Sequence, residues 1–146
     1  MANWQSVTYQ QGLGASADKA WEVLGDFGSL LHWVRGGDEG TLSLSGDGVG
    51  MVRDFSLPSV GEVQHRLDAH DDAQQLITYS LTSGTPLGMQ TYDVTIQLQA
   101  AEQGCEVIWT GKFLADDDAP LEAIAENLQG AYRDMSERLD AYLASL

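Results

Sequence analysis

His65 is the residue of this chain that most needs a partner. It stands in an alternating run, residues 62–69, on the same face as Val63, Leu67 and Ala69, while Glu62, Gln64, Arg66 and Asp68 take the other face. An imidazole on an apolar strand face must be hydrogen-bonded, because an unpaired buried polar group costs about 1–3 kcal/mol. The same alternation turns Phe55 and Leu57 inward from the preceding strand and Tyr79 and Leu81 from the following one. Tyr92, Val94, Ile96 and Leu98 come from the next, and Val107, Trp109 and Phe113 from the last, with Gly111 leaving space between them. The expected surface is apolar with a few polar tips, His65, Tyr79, Tyr92 and Arg53, which is how small-molecule pockets are built. The other use of these side chains is to fill a core, each hydroxyl bonded to backbone. A histidine titrating near neutrality could also act as a general base. His65 is therefore also the candidate catalytic base, although spacing alone places no acidic orienter behind it.

These residues need a sheet to carry them and a helix to cover them. Residues 4–12 read as a first strand, and Ser16 can cap a short helix with Asp18 in its first turn and Ala17, Ala20, Trp21 and Leu24 on one face. Residues 27–31 suggest a second short helical turn, ended at Gly36-Gly37. Period-two strands follow at 41–45, 49–57, 62–69, 76–82, 90–100 and 106–114, with Asp47-Gly48 a hairpin signal and short turns implying antiparallel neighbours. Beyond them Leu121, Ile124, Leu128, Tyr132, Met135, Leu139, Tyr142 and Leu146 recur at spacings of three and four, the stripe of one long helix. Asp118 can cap that helix, with Pro120 in its first turn. The expected class is α+β: a curved antiparallel sheet of about seven strands around a long C-terminal helix, in a single domain over 1–146.

Composition narrows the partners. The formal net charge of −15, with only 7 Lys and Arg, argues against nucleic acid and against anionic lipid surfaces. No apolar run reaches the roughly 20 residues of a membrane span, and no basic, apolar leader is visible, so no membrane insertion and a cytoplasmic location are expected. The one cysteine, Cys105, excludes an internal disulfide and reads as a passive small residue. No cofactor or metal is expected. His65 and His70 are five apart on a strand and so face opposite sides, and His32 lies in a separate helical region. Asp116-Asp117-Asp118 lacks the glycine and closing glutamate of a calcium loop. The glycines 46, 48 and 50 lead into a strand, not a helix, and make a hairpin turn rather than a phosphate cradle.

The segments Ala20-Trp21-Glu22-Val23-Leu24-Gly25-Asp26-Phe27, Gly48-Val49-Gly50-Met51-Val52-Arg53, Arg66-Leu67-Asp68-Ala69-His70-Asp71-Asp72 and Ile108-Trp109-Thr110-Gly111-Lys112-Phe113 carry a resemblance. With the order of elements, they resemble the START-related helix-grip superfamily, and within it the polyketide cyclase/dehydrase and lipid-transport proteins. The resemblance implies a cavity between sheet and long helix, an inward polar contact at His65, and loops 57–61 and 83–89 bordering the cavity mouth. Leu57, Pro58, Leu87 and Met89 are then candidate lid residues, and Trp33, in residues 31–35, a rim residue that would be costly to expose without a purpose.

The expected ligand-binding set is Trp33, Arg53, Phe55, Leu57, His65, Leu67, Tyr79, Leu81, Met89, Tyr92, Trp109, Phe113, Leu128 and Tyr132. Three functions compete for it. The first is binding of a small, mostly hydrophobic molecule, such as a lipid or a polyketide-like or aromatic compound. The second is cyclisation or dehydration in the same cavity with His65 as base. The third is a protein-interaction module of the co-chaperone kind, which needs an apolar outer sheet face that the outward residues of 62–68 do not supply.

Overall fold

The computed structural model describes residues 4–146. Its elements are β1 (Gln5–Leu13), α1 (Ala17–Leu24), β2 (Thr41–Ser45), β3 (Val52–Leu57), β4 (Gly61–Asp71), β5 (Leu76–Ser83), β6 (Thr91–Ala100), β7 (Cys105–Leu114) and α2 (Leu121–Ser145). Short 3₁₀ turns stand at Leu30–His32, Gly37–Glu39 and Pro86–Gly88. The strands form one curved antiparallel sheet in the order β1-β7-β6-β5-β4-β3-β2. Six of the seven follow one another as neighbours, and β1 closes the far edge by pairing with β7 over its whole length.

Alternation drives burial as the sequence suggests. Along β6, Tyr92, Val94, Ile96 and Leu98 are buried while the residues between them are not, and β7 repeats the pattern with Cys105, Val107, Trp109, Gly111 and Phe113. Ser16 caps α1, its hydroxyl accepting from the Lys19 N–H at 3.2 Å. Helix α2 lays Ile124, Leu128, Tyr132, Ser136, Leu139 and Leu143 on the concave face. Its hydrogen bonds to the sheet, and to Gly14 just past the end of β1, all go to one side. Gln129 donates to the Thr8 carbonyl, Asp140 accepts from the Gly14 N–H, Ser136 accepts from Trp109, and Tyr132 meets Tyr92. Among the described residues none joins α2 to β2, β3, β4 or β5. No helix is long and apolar enough to cross a membrane.

Several expectations need correction. Strand β4 carries a bulge: Leu67 faces Tyr79 and Ala69 faces Thr78, so Asp68 has no opposite residue. The extra residue reverses the alternation, sending Ala69 to the outer face with Thr78 and His70 to the inner face with buried Ile77. His65 and His70 thus share a face of the sheet, contrary to their odd spacing. His70 there donates from Nε2 to the Gly25 carbonyl at 3.1 Å and lies 5.0 Å from the Trp21 ring, which docks α1.

The other differences lie at element ends. Asp118 does not cap α2: Pro120 holds the N-cap position with no side-chain bond, and a tight turn from Asp116 O to Ala119 N takes up the chain before it. The stripe also drifts, because 3.6 residues per turn carries the buried line from Leu139 to Leu143. Tyr142 is left half-buried over His32, and Leu146 is exposed. Strand β3 starts at Val52, three residues late, since Gly48 and Gly50 take positive φ (64° and 96°) in the hairpin turn. Of residues 27–31 only Leu30 and Leu31 are helical, and Phe27 is buried in the turn before them.

Candidate functional site

Between the sheet and α2 lies a cavity of about 540 Å³. Its sheet wall is Arg53, Phe55 and Leu57 from β3, Val63 and His65 from β4, Tyr79 from β5, Tyr92 from β6 and Trp109 from β7. Leu128, Ala131, Tyr132 and Met135 of α2 face them. Leu30, Val34, Val60, Pro86, Leu87 and Met89 complete the apolar wall. The exposed residues Ser59, Asn127 and Arg35 bring the wall to the surface.

Ten of the fourteen residues expected to meet a ligand line this space: Arg53, Phe55, Leu57, His65, Tyr79, Met89, Tyr92, Trp109, Leu128 and Tyr132. Trp33, Leu67, Leu81 and Phe113 do not. Trp33 is buried in the core, its Nε1 donating to Ser29 Oγ at 3.3 Å, so it is no rim residue. Leu67 and Phe113 are buried and Leu81 half-buried outside the cavity. Alternation gives the face of the sheet, but not which part of that face the helices leave uncovered. Of the candidate lid residues, Leu57, Leu87 and Met89 line the wall, whereas Pro58 sits against Gly36. The Leu87 backbone is left-handed, at φ 57°.

The polar floor is a single linked group. Arg53 is 4% exposed, and its Nη1 donates to the Phe27 carbonyl at 3.1 Å. Its Nε and Nη2 lie 3.3 and 3.1 Å from His65 Nδ1. A guanidinium has no acceptor, so Nδ1 accepts and the imidazole proton is on Nε2. The guanidinium carbon lies 4.0 Å from the centre of the Phe27 ring, 4.7 Å from that of Tyr79 and 5.7 Å from that of Phe55. Burial, and then the Arg53 charge, hold His65 well below the usual imidazole range. Burial raises the Tyr79 phenol, and Arg53 draws it part of the way back.

A second polar link crosses from sheet to helix. The Tyr92 and Tyr132 hydroxyls are 2.5 Å apart, and burial keeps both phenols protonated by raising them far above the ordinary range. Tyr132 stacks on Trp109 at 4.6 Å, and Trp109 Nε1 donates to the fully buried Ser136 Oγ at 2.8 Å. Gly111 makes this possible: a Cβ there would overlap the Tyr132 hydroxyl.

At the mouth Asp134 is held by Arg35 at 2.6 Å and by Arg138 at 3.1 Å. The Arg35 hydrogen bond keeps its carboxyl below the usual range. Sequence reasoning missed Asp134 and Ala131; it had Met135 in the α2 stripe and Arg35 in the rim segment 31–35, but named neither as a ligand contact. Ala131 stands three residues after Leu128, on the flank of the α2 stripe, and that spacing could have found it.

Residues 5–144 match the protein family described as polyketide cyclase / dehydrase and lipid transport. No curated protein matches the chain by sequence. Among solved structures, an uncharacterised protein of Bacillus thuringiensis is similar with a TM-score of 0.79 and 24% identity, over 96% of this chain and 99% of that one. The protein XoxI of Bacillus cereus has a TM-score of 0.78 and 24% identity, over 95% of each chain. Norcoclaurine synthase of Thalictrum flavum, solved with dopamine and hydroxybenzaldehyde, has a TM-score of 0.74 and 19% identity, over 99% of this chain and 88% of that one. At these identities the three structures share the fold.

Proposed function

The chain belongs to the polyketide cyclase/dehydrase and lipid transport family, and we propose that it binds a small, mostly hydrophobic molecule between the sheet and α2. The observation that carries this reading is the cavity itself, about 540 Å³ in a fold of 146 residues, within the range of roughly 300–1,000 Å³ typical of ligand sites. A void this large in a filled core would forfeit contacts that side chains of ordinary size could make. Its walls are mostly apolar and supply affinity, while Arg53, His65, Tyr79 and Tyr92 orient a carbonyl or hydroxyl. Norcoclaurine synthase, solved with two small aromatic compounds, shares this architecture and lends the reading an aromatic precedent.

The geometry speaks against the cyclase or dehydratase alternative with His65 as base. The lone pair on Nδ1 is already given to Arg53, and an imidazole held well below its usual range is a weak proton acceptor. An interaction module is also disfavoured, because the outer sheet face presents Arg66, Thr78, Asp93, Thr95, Thr110 and Lys112. Native mass spectrometry on protein purified gently from its host tests the binding reading. A reproducible adduct lost on denaturation supports it. A clean mass of the bare chain, together with failure to take up any of a panel of lipids and aromatics, would sink it.

A further inference from the structure

We propose that the ligand carries a carboxylate and that Arg53 is its counter-ion, so that this protein selects apolar carboxylic acids over neutral molecules of the same shape. The inference rests on the binding reading above and names the class of ligand for that cavity.

Three observations carry it. The first is that Arg53 is a buried cation without an anion. It is 4% exposed, and among the described residues no carboxylate lies within ion-pair distance of it. Its neighbours are a neutral imidazole, a backbone carbonyl and aromatic rings. These satisfy hydrogen-bonding geometry but contribute only partial charges, whereas buried charges are as a rule paired. The bonds to Phe27 and His65 use one N–H on each of Nε, Nη1 and Nη2, and a second hydrogen on each of Nη1 and Nη2 remains for a neutral hydroxyl such as that of Tyr79 or for a ligand.

The second observation is the charge of the cavity against that of the chain. The protein has 22 Asp and Glu against 7 Lys and Arg. The cavity wall holds two arginines, Arg53 and Arg35, and one carboxylate, Asp134. A chain of net charge −15 thus encloses a space whose own charge is +1. Electrostatic focusing in a low-dielectric cleft favours an anion there.

The third observation is the state of that one carboxylate. Asp134 is pinned by Arg35 and Arg138 at the mouth, so it neither reaches Arg53 nor leaves an unpaired negative charge on the path inward. Planar oxyanions match a guanidinium fork, and one N–H on each of Nη1 and Nη2 remains to meet them.

The test uses two matched pairs in isothermal titration calorimetry: 2-naphthoic acid against 2-acetylnaphthalene, and dodecanoic acid against dodecan-1-ol. The wild-type chain should bind at least one acid about tenfold or more tightly than its neutral counterpart. Arg53→Met, which keeps the apolar stem, should abolish that preference, so that acid and neutral counterpart bind with about equal affinity. The wild-type comparison needs no variant, so it stands even where Arg53→Met fails to fold. Neutral compounds binding as well as the acids would overturn the inference and leave the hydrophobic-binding reading intact. An acid preference that survives in folded Arg53→Met would overturn the assignment to Arg53. No binding by any of the four would remove the reading and the inference together.

Discussion

Nδ1 of His65 lies 3.1 Å from Nη2 and 3.3 Å from Nε of Arg53, both side chains buried in the cavity floor. A group that can only donate fixes its partner as acceptor, so the pair sets the histidine tautomer and blocks protonation from the same direction. The two residues come from opposed positions of β3 and β4, Arg53 directly across from His65.

His65 should therefore stay neutral well below the usual imidazole range, with its proton on Nε2, as two-dimensional ¹⁵N NMR of the ring nitrogens would show. The folded pKa is depressed, so in acid the unfolded chain takes up a proton at this residue that the folded chain refuses. Stability is unaffected by His65 above about pH 6.5 and falls below it by up to about 1.4 kcal/mol per pH unit. Comparing wild type with His65→Gln between pH 7 and pH 5, by urea denaturation, isolates this from the many carboxylates. Equal slopes in the two proteins would contradict it.

Gly111→Ala should destabilise the fold by about 1–3 kcal/mol, because the new methyl overlaps the Tyr132 hydroxyl. Adding Tyr132→Phe removes the clashing oxygen, so the double variant should recover part of the loss. Chemical denaturation of the four proteins of the cycle measures the coupling, and additive effects would show that the two positions do not meet.

Ser136→Ala strips the acceptor from a fully buried indole N–H and should cost about 1–3 kcal/mol. Trp109 emission should shift with it, since the indole then sits over a hole where a hydroxyl was. A loss under about half a kcal/mol would mean that the indole finds another acceptor.

Ala131→Trp places a large ring in the cavity from the α2 side. Uptake of hydrophobic probes should fall at least about tenfold while thermal stability stays the same or rises. A variant that unfolds, or one that binds as well as wild type, would contradict the placement of the cavity.

Most of the sheet was legible in the sequence because its strands alternate cleanly and its turns are short. β6 and β7 have nearly the expected bounds and β2 has the expected ones. The failure at Ala69 and His70 has one cause, a bulge, and a single inserted residue leaves no mark in a hydrophobic pattern. Trp33 misled for another reason: a large aromatic in a loop segment reads as exposed until its hydrogen bond to Ser29 and its burial are seen. The Arg53–His65 contact was half legible. Alternation put both on one face, but cross-strand register, which makes them neighbours, depends on the turn at residues 58–60. Arg35, Asp134 and Arg138 were illegible, since their meeting depends on how a loop folds back over α2.

The one-sided attachment of α2 gives the sheet a gradient of rigidity. β1, β6 and β7 are tied to the helix through Thr8, Gly14, Tyr92 and Trp109, whereas β2 to β5 depend on their own ladder and on apolar contact. The compliant side is the one that lines much of the cavity. Substitutions in β3 and β4 can therefore reshape the chamber without disturbing the clamp that holds the molecule together. Amide exchange should record this as slow protons in β6 and β7 and faster ones in β2 and β3, with the outer strands slowing when the chamber is filled.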